Sequence, residues 1–276
     1  MTSCQEKKSW EILPCPDLSL SQTPRRIISL APSITETLFA LGLDSSIVGV
    51  TDYCDFPEPA KHRVKIGGIL NPNIERILSL QPDLILMSGS GNMRSDYDKL
   101  TAAGLAVFVS HPQSIDGVFK SIGDLGLLTS RKPTADSILS QLRHRRDDLI
   151  RKAAPLKKPT VLMLLSVNPI VAVGPGTFLD ELIFVARGEN IAHGSSTAYP
   201  LLSREEILRR QPEVILTTND IARSPLDVLG HYPEWKTLPA IRDKHVVIID
   251  ASIVSRPGPR IVDGLEAVFN AIHSIH

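Results

Sequence analysis

The chain has 276 residues, with 30 basic and 30 acidic side chains and a formal net charge of zero. That balance excludes the overall basic field that gathers nucleic acid or anionic lipid. Apolar content of 42% is ordinary for a globular protein, no apolar run approaches the roughly 18 residues of a membrane span, and three cysteines are too few for a disulfide scaffold.

Residues 1–24 are polar and proline-containing and read as a flexible N-terminal tether. Met1-Thr2-Ser3-Cys4 is similar to the end of a bacterial lipoprotein signal, whose charged and apolar regions are not in this chain. Lipidation at Cys4 and an exposed thiol on a disordered tail are both open. Cys15 and Cys54 would pair as a disulfide if the protein is exported; the alternative is two unpaired thiols, at least one of them buried.

The pattern from residue 25 to 127 predicts an N-terminal α/β lobe. Ile27–Ala31 reads as a strand, and Ser33-Ile34-Thr35-Glu36 fits a capping box opening a helix that Gly42 stops. Val48–Val50 is a strand followed by the loop Thr51–Pro57. Helix 73–80, strand 83–87, helix 93–103 and strand 105–110 continue an alternation that argues for a mostly parallel sheet covered on both faces. Residues 114–127 read as a further helix.

Residues 128–156 form the bridge. Helical spacing of Ile138, Leu142, Leu149 and Ile150 predicts one long helix over 134–154, ended by Pro155. Its run Arg143-His144-Arg145-Arg146 would suit phosphate, but Asp147 and Asp148 follow at once and cancel the field. A second α/β lobe fills 157–276: strand 160–166, helix 177–187, a capping box at Ser203-Arg204-Glu205-Glu206, strand 213–218, a short helix near 224–230, strand 245–250 and a closing helix 259–275 with Pro259 in its first turn. The fold class is therefore α/β, two Rossmann-like lobes with mostly parallel sheets bridged by one long α-helix.

The two lobes share a phrase. E-R-I-L-S-L-Q-P-D-L-I-L at 75–86 returns as E-E-I-L-R-R-Q-P-E-V-I-L at 205–216. Each copy is a glutamate, a short amphipathic helix, a Gln-Pro stop, an acid and an apolar strand. A fainter echo joins Leu38–Gly42 to the stretch ending Val185-Ala186-Arg187-Gly188. Duplicated lobes imply a cleft, where small ligands gather.

Signatures of catalysis are absent: no G-x-S-x-G, H-E-x-x-H or phosphate-binding glycine loop occurs, and His62, His111, His193 and His231 are scattered on loops. The chain reads as a non-enzyme with no intrinsic cofactor or metal site. Ligands of open α/β sheets collect at the carboxyl ends of strands. Tyr53, Ser88, Asn168 and Arg256 follow predicted strands, and Tyr199 precedes the second copy of the phrase. Tyrosine adds flat apolar area with a polar tip. Glu75 and Glu205 open the duplicated helices, where the helix dipole favours an acid in any case.

The phrases R-I-I-S-L-A-P-S-I-T-E-T-L-F-A-L-G, V-G-V-T-D-Y-C-D-F-P, N-P-N-I-E-R-I-L-S-L-Q-P-D-L-I-L, S-R-E-E-I-L and R-P-G-P-R stand in this order. Together they resemble the cobalamin-binding periplasmic proteins of ABC importers. More broadly they resemble the helical-backbone class that also serves ferric siderophores, haem and metal ions. The resemblance covers residues 25–275. It implies a monomeric extracytoplasmic receptor, periplasmic or at the cell surface, that holds a corrinoid in the interlobe cleft and delivers it to a permease. It implies ligand contacts at Tyr53, Ser88, Tyr199 and Arg256, and docking of the permease at Glu75 and Glu205. Aromatic positions of the family fall here on Ile69, Ser88 and Val171. A precursor corrinoid, a ferric siderophore or haem therefore stays open as the cargo, and an enzyme acting on a bound chelate is the alternative of another class.

Overall fold

A computed structural model describes residues 22–273. They fall into two compact units. The first takes the described residues up to Pro112 together with Phe119–Leu139, and the second takes Gln113–Val118 and the residues from Ser140 on.

The elements of the first half are β1 (Ile27–Ser29), α1 (Pro32–Ala40), β2 (Ile47–Val50), α2 (Ile74–Ser79), β3 (Leu84–Ser88), α3 (Arg94–Ala102), β4 (Val107–Ser110) and α4 (Ile115–Leu128). The long helix α5 (Lys132–Ala153) follows. The rest are β5 (Thr160–Ser166), β6 (Val171–Ala172), α6 (Phe178–Val185), β7 (Glu189–Asn190), α7 (Arg204–Arg210), β8 (Val214–Thr218), α8 (Pro225–His231), α9 (Pro239–Arg242), β9 (Val246–Ile249), α10 (Ala251–Val254) and α11 (Ile261–His273).

The first unit carries a four-stranded parallel sheet in the order β2-β1-β3-β4. Its central strand β3 is buried throughout, as its unbroken apolar run requires of a strand covered on both faces. Ile28, Ile66, Ile77, Ile85, Leu100 and Val107 lie in one apolar cluster beneath the helices. In the second unit β7, β5, β8 and β9 are parallel neighbours, so β7 takes the place that β2 holds in the first sheet. Only β6 is antiparallel, paired to the far half of β5. Both β6 and β7 are two-residue edge strands, too short to leave a periodic trace in the sequence.

The shared phrase builds the same device twice. Asn73 caps α2 by accepting the Arg76 N–H at 2.9 Å, and Ser203 caps α7 by accepting the Glu206 N–H at 3.1 Å. Ile77 and Ile207, one turn in, are fully buried. Each helix ends at a glutamine with left-handed backbone, Gln81 at φ 44° and Gln211 at φ 48°, before a proline that cannot continue the helix. The acid after the proline then clasps the neighbouring strand. Asp83 accepts the backbone N–H groups of Arg25 and Arg26 at 2.7 and 3.0 Å, and Glu213 accepts the Thr160 N–H at 2.8 Å. Each clasp sets register, Ile27 opposite Leu84 and Val161 opposite Val214.

The fainter echo is also structural, shifted by one residue from its sequence alignment. Leu43 N–H reaches Leu38 O at the end of α1, and Gly188 N–H reaches Ile183 O at the end of α6. Gly42 therefore corresponds to Arg187, both left-handed at φ 71° and 61°. Gly188 serves packing instead: an added Cβ would lie 2.8 Å from Ile183 and 2.9 Å from Val161.

Several expected details differ. Helix α1 starts at Pro32 with Ala31 as its cap, so the Ser33 capping box does not form; proline at the first position already dispenses with one donor. Ser203 gives only its half of a box, because the Glu206 carboxylate turns to Arg209 and Arg210, which hold its pKa down at about 2. Helix α11 begins at Ile261, past Pro259. In α5 the buried stripe is Ala135, Leu139, Leu142, Leu149 and Ala153, while Ile150 faces water. The first eight residues of α5 group with the first unit and the rest with the second. The basic run is neutralised: Arg145 pairs with Asp263 and Glu266, and Arg146 with Asp116 and Asp147. The opening turn of α4 belongs to the second unit, where Glu181 accepts the Ile115 N–H at 2.6 Å.

Candidate functional site

In the first unit, the carboxyl ends of the strands are knitted by one buried amide. Asn92 accepts the Ser88 N–H at 2.7 Å and donates to Leu30 O at 3.1 Å and Ile69 O at 2.9 Å. It joins the ends of β1 and β3 to the loop before α2. Ser88, an expected ligand contact, is buried and its hydroxyl lies 3.1 Å from that of Ser90. Nothing in the spacing of the sequence singled out Asn92; its one signal is an amide four residues past an apolar strand.

Tyr53 stands three residues beyond β2 on a pinned loop. Asp52 N–H donates to Gly67 O at 3.0 Å, and Lys65 Nζ donates to Thr51 O at 3.2 Å and Cys54 O at 2.9 Å. The backbone is held while Tyr53 as a whole is 61% exposed. Cys54, the next residue, is buried, with the Thr35 and Thr51 hydroxyls 3.1 and 3.2 Å from its sulfur. Its expected partner Cys15, like Cys4, lies outside the described residues.

In the second unit, Tyr199 sits on an extended segment laid along β6. Ala172 N–H donates to Pro200 O at 3.0 Å, and Gly174 N–H donates to Ala198 O at 2.8 Å. Glycine is required at 174, since a Cβ there would come within 2.4 Å of Thr197 O. The Tyr199 ring is half-exposed, and the part that is covered pushes its phenol pKa up by desolvation. Arg256 does not directly follow a strand, because α10 intervenes; it is part-buried in the turn before α11.

Glu75 and Glu205 occupy the same position, second in α2 and α7, and both are exposed. The backbone N–H of Glu205, and after it the Ser203 hydroxyl, hold the Glu205 carboxyl below its usual pKa. Asn168, His62, His111, His193 and His231 are exposed; His231 ends α8 and His62 ends a short 3-10 helix, so neither lies on the loop expected for it, and no group of three or more metal-binding side chains gathers among the described residues.

Cavities open among the described residues of the second unit. One of about 590 Å³ is bounded by Asp180, Phe184, His193 and Arg210, and one of about 880 Å³ by Lys157, Glu213, Phe269 and His273. Neither is lined by an expected ligand residue. The sequence also did not mark the buried Asp180, whose carboxylate bonds Asn190 at 2.6 Å and His193 at 2.8 Å.

Comparison with known proteins agrees with this architecture. The chain is similar to a vitamin B12-binding protein of Vibrio campbellii, 30% identical over 254 residues that cover 91% of each chain. It is 31% identical to YvrC of Bacillus subtilis, described as an uncharacterized ABC transporter substrate-binding lipoprotein, over 93% of this chain and 82% of the relative. The crystal structure of the periplasmic vitamin B12 binding protein BtuF of Vibrio cholerae superposes with a TM-score of 0.81 at 30% identity, covering 92% of this chain and 98% of that one. The periplasmic binding protein model matches residues 27–253, a span that takes in both sheets and both copies of the clasped helix. The chain belongs to the periplasmic binding protein family.

Proposed function

We propose that this protein is an extracytoplasmic receptor that captures a corrinoid such as cobalamin and delivers it to the permease of an ABC importer. It is a binding protein and not an enzyme, as its family is one of solute receptors. The observation that carries the corrinoid reading is the 30% identity to a vitamin B12-binding protein across 91% of both chains. The chemistry is compatible. A corrin is broad, with a flat apolar face and an amide-rich rim, so aromatic surface and peripheral hydrogen bonds are what would hold it.

On this reading Tyr53 and Ser88 of the first unit, and Tyr199 and Arg256 of the second, are the ligand contacts. Tyr53 and Tyr199 supply the exposed aromatic area, and Ser88 contributes least because its hydroxyl is already engaged. Glu75 and Glu205 are the permease-docking charges. Their support is their matched helix position and their exposure, since charges at a rim set register and encounter rate. Anchorage through a lipidated Cys4 is the further proposal for its location, supported by the lipoprotein description of the Bacillus relative.

A ligand panel tests the function. A specific binder raises thermal stability by mass action, so cobalamin at one hundred times its Kd adds about 2.7 kcal/mol. Cobalamin, haemin and a ferric siderophore are compared by their shift in Tm. A shift with cobalamin alone is expected, and a shift with haemin or the siderophore alone assigns the cargo to that chemistry instead. In cells, the double change Glu75→Ala and Glu205→Ala should spare binding and reduce uptake; undiminished uptake removes the docking role.

A further inference from the structure

The loop from Ile191 to Ser203 carries Tyr199, and its far end is fixed by the two bonds along β6. Its near end is held by the backbone bond from Ile191 N–H to Val161 O at 2.9 Å and by a buried carboxylate. Asp180, in the first turn of α6, is 6% exposed, and both its oxygens are used. Oδ1 accepts from Asn190 Nδ2 at 2.6 Å, and Oδ2 accepts from His193 Nδ1–H at 2.8 Å. Asn190 spends its second amide proton on Val173 O at 2.9 Å, and its oxygen accepts the Ala192 N–H at 3.0 Å. Val173 lies in the segment between Ala172 and Gly174, the two residues whose N–H groups hold the loop on either side of Tyr199. One buried carboxylate therefore connects the start of the loop, through Asn190, to the backbone that seats its end.

The His193 ring has no packing reason to be where it is. Its side chain is 69% exposed, so little apolar area is gained by ordering it. What orders it is the charge-assisted bond to a carboxylate nine-tenths out of water. Such a bond fixes a ring and the backbone that carries it.

We infer that Asp180, Asn190 and His193 form a positioning triad that holds the 191–203 loop so that Tyr199 is pre-arranged for ligand. Tyr199 as a ligand contact rests on the corrinoid reading above; the ordering of the loop does not. Preorganisation lowers the entropy lost on binding, so the triad contributes to affinity without touching the ligand.

Asp180→Ala leaves two donors unmatched in a buried place and risks the fold, so the exposed member carries the test. His193→Ala removes the donor, and His193→Asn restores an N–H at the Nδ1 position. Hydrogen exchange on the ligand-free full chain is the first measurement. His193→Ala should speed exchange of the Ala172, Gly174 and Leu202 N–H groups, which bond the Tyr199 segment to β6 and its flanks, leave β8 unchanged, and be reversed in His193→Asn. Unchanged exchange at those three amides overturns the triad. The second measurement is cobalamin affinity in a double-mutant cycle. One hydrogen bond of this kind corresponds to a loss of about fivefold in affinity for His193→Ala. The loss should vanish when Tyr199→Ala is already present, because the triad works through that ring. An equal loss in both backgrounds overturns the proposal. If the wild-type protein takes no cobalamin, the corrinoid reading fails, and the exchange result still decides the triad.

Discussion

The two units agree where their strands begin and differ where their strands end. At the beginnings, Asp83 and Glu213 clasp β1 and β5 in the same way, after left-handed glutamines at the same point of the same helix. At the ends, the turn after the strand is still shared: Asn92 N–H returns to Ser88 O at 2.9 Å and Ala222 N–H to Thr218 O at 3.0 Å. The side chain on that turn is not. Asn92 knits three segments of the first unit, while Ala222 bonds nothing through its side chain and packs in the apolar cluster of the second. The second unit instead adds β6 and lays the Tyr199 segment along it. A duplicated scaffold has kept the pole that sets register and changed the pole where ligands of open α/β sheets bind.

The largest test of that comparison is the pair Ile77→Ala and Ile207→Ala. Both side chains are fully buried at equivalent positions. Each change should cost about 3 kcal/mol in urea unfolding, from lost transfer energy and a residual cavity. A large difference between the two would mean the repeated helices are not equivalent supports. Next comes Asn92→Ala, which leaves a backbone donor and two carbonyls without their partner and should cost about 2 kcal/mol. The second unit has no counterpart to lose, so unfolding probed there should barely move. Removing the clasps, Asp83→Ala or Glu213→Ala, should cost about 1 kcal/mol each, since their bonds lie at the surface.

The smallest effect is in pH. His245 donates Nε2–H to Ala271 O at 2.7 Å and has no partner for Nδ1. Burial pushes its pKa below the ordinary 6.5. The unfolded chain then takes up this proton before the folded chain does. The contribution is full above pH 6.5 and falls as pH drops through 6.5 toward the depressed value. Ala106 stands where His245 does, each carbonyl accepting from the neighbouring strand, so the first unit has no such dependence at this position. Denaturation followed from pH 8 to pH 5 should lose this slope in His245→Gln.

Much of the fold was legible in the sequence because its signals are local. The apolar runs of β3, β5 and β8 and the Gln-Pro stops stand within two residues of where they were expected, and the repeat gave the pairing of elements. What escaped has physical reasons. Two-residue edge strands such as β6 and β7 have no period. Ser33 fits a cap by type, but Pro32 starts the helix before it. The stripe of α5 includes Leu139 and excludes Ile150, because the neighbours Ile138-Leu139 and Leu149-Ile150 each offer two apolar residues near the same face and only packing chooses between them. Of the candidate site, the exposed tyrosines were visible as residue types on loops. Asn92 and the Asp180 triad were not, since a buried polar residue declares itself only through partners distant in the chain.

The most direct test is calorimetric titration of the full chain with cyanocobalamin, alongside Tyr53→Ala and Tyr199→Ala. The account predicts saturable one-to-one binding to the wild type and a loss of at least about tenfold in each variant, as for truncation of an aromatic contact worth about 1.4 kcal/mol or more. No heat with the wild type, or affinity unmoved by both variants, would contradict it.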